Sequence, residues 1–270
     1  LSTVPEIYES RELIANLTLR ELRGRYKRSV LGWTWSLLNP LSTVVIYTIV
    51  FGTLLKADPP VGDPSGLDNY TVFLLCGLLP WTYFANTVNG AMGVLTGNAS
   101  LIRKVYFPRE GLVISHIASM LVTFLIEMLV LLAILIVVGN NFWPWLPVVV
   151  LVVVVQTAFA TGFALALSVL NVYFRDLQYL FGSIIMQAWF FLTPIVYPPS
   201  IVEQETNATI ARIYTFNPMF RFTDTYRRLL YENRPPTLVS SVYLVVLAAV
   251  SLLIGLAVFR RYEGRLAEEL

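Results

Sequence analysis

Residues Leu121–Val138 read LVTFLIEMLVLLAILIVV, and Leu146–Val155 follow with LPVVVLVVVV. A helix rising 1.5 Å per residue needs about 20 apolar residues to cross a hydrocarbon core of about 30 Å. Both runs are therefore read as membrane-crossing helices. The composition agrees. Of 270 residues 56% are apolar and 13% charged, and the mean hydropathy is +0.67. An average soluble domain carries about 25% charged residues. Half that content cannot wet the surface of a globule this size, which excludes an ordinary cytosolic enzyme, a disordered chain and a fibre. One cysteine excludes a disulfide framework within the chain and a cysteine-rich zinc site. One histidine argues against a histidine-based metal site, so no metal ligands are assigned. A net charge of +2 gives no argument for nucleic acid.

Working outward from these runs, six apolar stretches emerge: 33–55, 70–96, 111–138, 145–171, 179–197 and 237–259. The fold class is all-α, a polytopic membrane protein of six transmembrane helices. A closed barrel would show short alternating strands instead. Pro80 interrupts the second stretch, and Pro194, Pro198 and Pro199 end the fifth. No cleavable signal peptide is expected, residues 1–30 being polar. The chain divides into 1–32, a polar N-terminal segment; 33–259, the membrane domain; and 260–270, a C-terminal tail.

The cations give orientation. Thirteen fall in 1–32, 97–110, 172–178 and the tail, and six on the opposite side, five of those being arginines in 198–236. The positive-inside rule then puts both termini in the cytoplasm. The five arginines of the long external segment run against the rule.

Four polar features remain. Residues 11–31 predict an interfacial amphipathic helix, with Ala15, Leu19, Leu22, Tyr26 and Val30 on one face and Arg20, Arg23, Lys27 and Arg28 beside or opposite it. Segment 97–110, GNASLIRKVYFPRE, presents aliphatic and aromatic side chains where a mere turn would be polar. It rests on the headgroups or docks a cytosolic partner. Segment 198–236 holds two short amphipathic pieces around Asn217-Pro218, the second with Phe220, Thr223, Tyr226 or Arg227, and Leu230 near one face. They form an outer lid or a loop resting on the membrane. Glu127 is the sole carboxylate within a predicted span. It is a functional acid or a neutral side chain bonded within a helix interface. With only His116 for company, it gives thin support to proton coupling.

Aromatic residues crowd the spans: Tyr47, Phe51, Trp81, Tyr83, Phe84, Trp189, Phe190 and Tyr197 among them. Rings stack on sugar C–H faces without a deep charge well, which suits a conduit for a long polar chain. Equally, most aromatics in spans simply pack. The chain has no G-x-x-x-x-G-K-[ST] phosphate loop, no G-x-S-x-G elbow, no H-E-x-x-H pair and no inverted repeat. It is not read as an enzyme, and uphill work needs a partner's energy.

Several ordered motifs carry a resemblance. Arg25-Tyr-Lys-Arg-Ser-Val-Leu-Gly-Trp-Thr-Trp-Ser-Leu-Leu-Asn-Pro40, Leu101–Pro108, Asn171–Leu177, Thr193–Pro198 and Asn217-Pro218 resemble the permease subunits of type-2 ABC exporters. Within these they resemble the polysaccharide-export branch of O-antigen, teichoic acid and mycobacterial galactan exporters. The resemblance runs from about residue 10 to 262. It implies a homodimer in the bacterial cytoplasmic membrane with two nucleotide-binding ATPase subunits, which bind ATP and Mg; this chain itself holds no cofactor. It implies a cytoplasmic gate or interface helix near 11–30 and a coupling helix at 97–108, whose docking residues are Leu101, Ile102, Arg103, Lys104, Tyr106, Phe107 and Pro108. It implies extracellular re-entrant gate helices within 198–236, which removes the arginine anomaly, and a conduit between protomers lined by the aromatics named above. The cargo implied is a polyprenyl-diphosphate-linked glycan. The cations Arg20, Arg23, Arg25, Lys27 and Arg28, with Tyr26, receive its diphosphate or bind anionic membrane lipid. A type-2 exporter of a small drug or lipid is the alternative, and a proton-coupled carrier a more distant one.

Overall fold

In lipid every backbone polar group must be satisfied within the chain, so an apolar polypeptide crosses a bilayer as helices or a closed barrel. The computed structural model describes residues 10–26, 35–54, 60–104, 107–199, 214 and 216–270. Among these residues every regular element is helical. The order begins with α1 (Arg11–Tyr26), then α2 (Trp35–Tyr47), continued by a π-helical turn Thr48–Leu54. Next come α3 (Tyr70–Gly97), α4 (Ala99–Lys104), α5 (Glu110–Val137) and α6 (Leu146–Tyr173). Then follow α7 (Leu177–Tyr179), a π-helical stretch Leu180–Ile185, α8 (Met186–Phe191) and α9 (Pro218–Arg227), which runs into a π turn Arg228–Glu232. The last are α10 (Leu238–Tyr262) and α11 (Leu266–Glu269).

Among the described residues four helices are long and apolar enough to cross a membrane: Tyr70–Gly97, Glu110–Val137, Trp143–Tyr173 and Leu238–Tyr262. Each lies within three residues of a sequence expectation. The stretches 33–55 and 179–197 hold shorter apolar helices, Leu41–Phe51 and Leu177–Phe191. The second ends before Thr193-Pro194, because proline cannot donate the next helical hydrogen bond.

Lipid and protein surroundings divide the long helices. α3 is the least apolar of the four, yet 83% of its membrane-length window is buried, against 22% for α5 and α10. It is enclosed by α5, α6 and α9. This enclosure lets it carry Pro80, whose carbonyl accepts from Gln156 Nε2 of α6 at 2.7 Å. The most extensive helix pairing is α6 with α10. There Gly162 faces Ser251 and Gly255, and a Cβ on Gly255 would stand 2.6 Å from Gly162 Cα. Small residues let the two backbones touch, and Ser251 Oγ donates to Phe159 O across the gap at 2.9 Å.

The buried side chains form two cores. One, in the half of the bundle holding α9, is rich in aromatics, including Trp81, Tyr83, Phe84, Phe124, Phe159, Phe222 and Tyr226. The other is aliphatic and joins Leu17, Leu95, Ile102, Val113, Val172 and Leu266 near both chain ends. The tail 260–270 is thus no free end. α10 continues to Tyr262, and Leu266 is fully buried beside α4 and α6.

Candidate functional site

The predicted coupling segment folds as a corner. Asn98 caps the end of α3, its N–H reaching Val94 O and Leu95 O. The same residue's carbonyl accepts from Leu101 N at 3.0 Å and Ile102 N at 3.1 Å and so starts α4. Ile102 is buried in the aliphatic core, while Arg103 and Lys104 are exposed. Leu101, Phe107 and Pro108 are half-buried, and Tyr106 lies outside the described residues. The Arg109 guanidinium donates to the carbonyl of Glu263, tying the corner to the C-terminal turn. Burial pushes the Glu263 carboxyl above its ordinary range, and Glu110 beside it adds to the rise.

α1 packs along α5. Its buried apolar residues are Leu17 and Leu22, while Ala15 and Leu19 are exposed. Of the expected face, Leu22 is on the docked side and Ala15 and Leu19 are not. Apolar periodicity misses the docked side because that side is partly polar: Thr18 Oγ1 donates to Ile14 O at 2.8 Å and Ser115 O at 3.4 Å, and Glu21 meets His116. Of the proposed diphosphate ligands, Arg20 donates to Asn98 Oδ1 at 2.8 Å and Arg23 is exposed. Lys27 and Arg28 lie outside the described residues, as do the side chains of Arg25 and Tyr26.

The expected gate segment differs from a helix lying on the outer leaflet. Its first piece falls mostly outside the described residues. Its second piece, α9 with the π turn, is sunk against α3, burying Met219, Phe222, Tyr226, Arg227, Leu229 and Leu230. Asn217 makes the entry. Its Oδ1 accepts from Met219 N at 3.0 Å, an N-cap, and from Trp189 Nε1 of α8 at 2.8 Å. Pro218 suits the first helical turn, where no N–H partner is needed. Tyr226 Oη donates to Gln156 Oε1 at 2.9 Å.

Arg227 holds this element from inside. It is 4% exposed and donates to Phe73 O at 3.3 Å, Pro194 O at 2.5 Å and Ile195 O at 2.6 Å. Its guanidinium also lies 3.8 Å from the Phe73 ring centroid. One side chain thus joins α3, the turn that follows α8, and α9. A Cβ on Gly77 would stand 2.8 Å from its Nη2, so α3 is glycine where the arginine passes. The other arginines described in this segment are engaged as well. Arg221 donates to Ser240 Oγ at 2.8 Å, Arg228 pairs with Asp224 at 3.1 Å, and Arg234 pairs with Asp63. Of the arginines in this segment, Arg227 is buried, so it does not sit there as a solvated loop cation.

The eight expected conduit aromatics fall into two groups. Trp81, Tyr83 and Phe84 are a correction: they are at most 5% exposed within the protomer and line no open surface. Tyr83 stacks on Phe124 at 4.6 Å, and Phe84 on Phe159 at 5.4 Å, because they lie on the enclosed helix α3. Tyr47, Phe51, Trp189, Phe190 and Tyr197 are half-buried. Tyr47 and Phe51 stack in parallel at 5.6 Å, and Phe51 continues onto Tyr70 at 5.2 Å. Tyr197 Oη donates to Phe191 O at 2.6 Å. Phe191, also among the span-5 aromatics of the sequence, is exposed beside Phe190, and exposed Tyr179 was not singled out from sequence. Glu127 is half-buried on α5, and His116 engages Glu21 instead.

The described residues offer aromatic side chains at the surface, a buried element held by one arginine, and a folded corner between α3 and α5. Comparison with known proteins bears on what such parts do. Residues 12–231 match the family model described as ABC-2 type transporter. The O-antigen export system permease protein RfbA of Myxococcus xanthus is 32% identical over 267 residues, covering 98% of this chain and 96% of that one. A protein of the same name from Klebsiella pneumoniae is 30% identical over 261 residues, covering 95% and 94%. The polysialic acid transport protein KpsM of Escherichia coli is 25% identical over 255 residues, covering 92% of each.

Proposed function

The chain belongs to the ABC-2 type transporter membrane family, and from that premise we propose that it is the permease subunit of an ATP-driven polysaccharide exporter. Similarity to an O-antigen export permease along 98% of the chain carries the reading. The finer parts follow from the resemblance and from the geometry. Two copies enclose a conduit in the cytoplasmic membrane, each with six spans when 35–54 and 177–191 are counted, and with both termini in the cytoplasm. Separate ATPase subunits bind ATP and Mg and dock on the corner at α4. That role is supported by exposed Arg103 and Lys104 held on a buried Ile102 anchor.

The cargo is a glycan on a polyprenyl diphosphate. Its sugar faces slide over Tyr47, Phe51, Trp189, Phe190 and Tyr197, which give many weak contacts in place of one tight site. Its diphosphate, or the phosphate of an anionic membrane lipid, is received by the cations Arg23, Arg25, Lys27 and Arg28 in the N-terminal segment. ATP-driven closure of the ATPase pair displaces the corners, and the two permease halves shift as rigid bodies.

The test is purification of the tagged full chain from its own membrane. A copurifying nucleotide-binding subunit and a bound glycolipid are expected. Vesicles that move glycolipid without nucleotide or companion subunit would overturn the reading. Replacing Tyr106 and Phe107 by Ser should release the ATPase, and Trp189→Ala with Tyr47→Ala should slow polymer flux with the complex intact.

A further inference from the structure

We propose that Arg20 and Glu21, neighbours on α1, form a two-point linkage that makes α1 move with the corner between α3 and α4. The first tether is Arg20 Nη2 to Asn98 Oδ1, 2.8 Å. Asn98 also ends α3 through its own N–H, donates Nδ2 to Val94 O at 2.9 Å, and starts α4 through its carbonyl. One residue therefore holds three helices. The second tether is Glu21 Oε1 to His116 Nδ1 of α5, 2.6 Å. His116 is 3% exposed, and its Nε2 is buried with no partner. The far side of its ring lies against Gly90 of α3, where any Cβ would collide with it. The imidazole is thus pinned between α3 and Glu21.

Adjacent helical residues point about 100° apart. The tethers therefore pull in different directions, one toward the α3–α4 corner and one toward α5, and together they fix both roll and tilt of α1. Packing does less here. A cleft of about 520 Å³ opens between α1 and α3, bordered by Gly24, Gly90 and Gly93. Beyond the local helix backbone, no atom among the described residues stands within 4 Å of where a Cβ on Gly24 or Gly93 would be. α1 keeps its packing on α5 through Leu17 and Leu22 and the Thr18–Ser115 contact, and on the side that faces this opening the two tethers add the contacts that limit its tilt. Pushing the corner moves Asn98, and Asn98 carries Arg20 with it. Arg20 is thereby a positioning residue of the linkage rather than a headgroup ligand. The functional consequence rests on the reading of α4 as the ATPase-docking segment.

The experiment places nitroxide labels at exposed Asn16 of α1 and Leu129 of α5 in the full chain in lipid nanodiscs, with and without the ATPase and ATP, and measures their distance distribution and glycolipid transport. Wild type should give one narrow distance that shifts with ATP. Arg20→Ala and Glu21→Ala should each raise the displaced population about tenfold, the scale of one hydrogen bond to a charged group, and abolish the shift. Gly90→Ala should copy Glu21→Ala by pushing the imidazole aside. Asn98→Asp keeps the acceptor and should retain the wild-type distance. Arg20→Ala with Asn98→Ala should displace α1 no further than Arg20→Ala alone. Wild-type distances in Arg20→Ala, Glu21→Ala and Gly90→Ala would overturn the linkage. So would lost transport at unchanged distance, since the side chains would then act on cargo. If the unsubstituted protein fails to bind the ATPase, the docking role of α4 falls by itself, and the nucleotide-free distances still decide the tethers.

Discussion

The two cores of this protein are built from different chemistry. Around α9 the core is aromatic and hydrogen-bonded: Tyr226 reaches Gln156, Tyr231 donates to Pro60 O and Leu67 O, and Arg227 grips three carbonyls. Around α4 the buried apolar side chains are aliphatic apart from Phe259, and the buried acid beside them is Glu110. Directional bonds are made or broken as a set, so the first core has one register for its buried element. Aliphatic contacts are non-directional and tolerate small sliding of packed helices. The first arrangement suits a part with discrete positions, and the second a part that passes displacement between helices.

Arg227→Met would break this contrast most severely. It leaves buried carbonyls at Phe73, Pro194 and Ile195 without their donor, at about 1–3 kcal/mol for each group left unsatisfied. A loss of about 3–5 kcal/mol is expected, the scale for disrupting a buried charged network. Thermal unfolding in detergent reads it directly. A fully stable Arg227→Met protein would mean that the aromatic core holds α9 by packing alone. Gly255→Val comes next. Its Cβ meets the Gly162 backbone, so α6 and α10 must separate, at about 1–3 kcal/mol. This penalty should appear in stability and leave the distance between α1 and α5 unchanged.

Much of this was legible in the sequence. The four long helices were found because lipid demands apolar runs of a set length, and the piece after Asn217-Pro218 was visible as a helix. Three features were not. α3 reads as the weakest long span, and its full enclosure by protein, which accounts for the weakness, has no one-dimensional signature. Trp81, Tyr83 and Phe84 share the residue types expected of a conduit, and only burial separates core from lining. Arg227 looked like one more cation in an external loop, because its acceptors at 73, 194 and 195 are remote in the chain. The docking face of α1 was missed for the same reason: Thr18 and Glu21 are polar, and their partners lie about a hundred residues away.

The aliphatic core makes a milder prediction. Ile102→Val removes one buried methylene at the anchor of α4 and should cost about 0.5–1.5 kcal/mol. If sliding contacts carry the stroke, nucleotide-stimulated transport should fall more than this small loss of stability would explain. Transport that tracks stability alone would assign the stroke to another path.

The smallest expected effect concerns the edge of that core. Glu263 has a raised carboxyl pKa, from burial first and from Glu110 second, with Arg109 and Arg260 opposing. A raised folded-state pKa means that the ionised carboxylate is penalised in the folded protein. The turn is therefore favoured at low pH, and that contribution is lost as pH rises through the folded-state pKa. Glu263→Gln removes the penalty while keeping the backbone carbonyl that accepts from Arg109. The variant should melt slightly higher than wild type at neutral pH, and the difference should vanish in mild acid. Because the carboxyl is partly solvated, the gain should be small. A variant less stable than wild type at neutral pH would show that the carboxylate makes a favourable contact in the corner, and that the C-terminal turn is held there by charge as well as by Leu266.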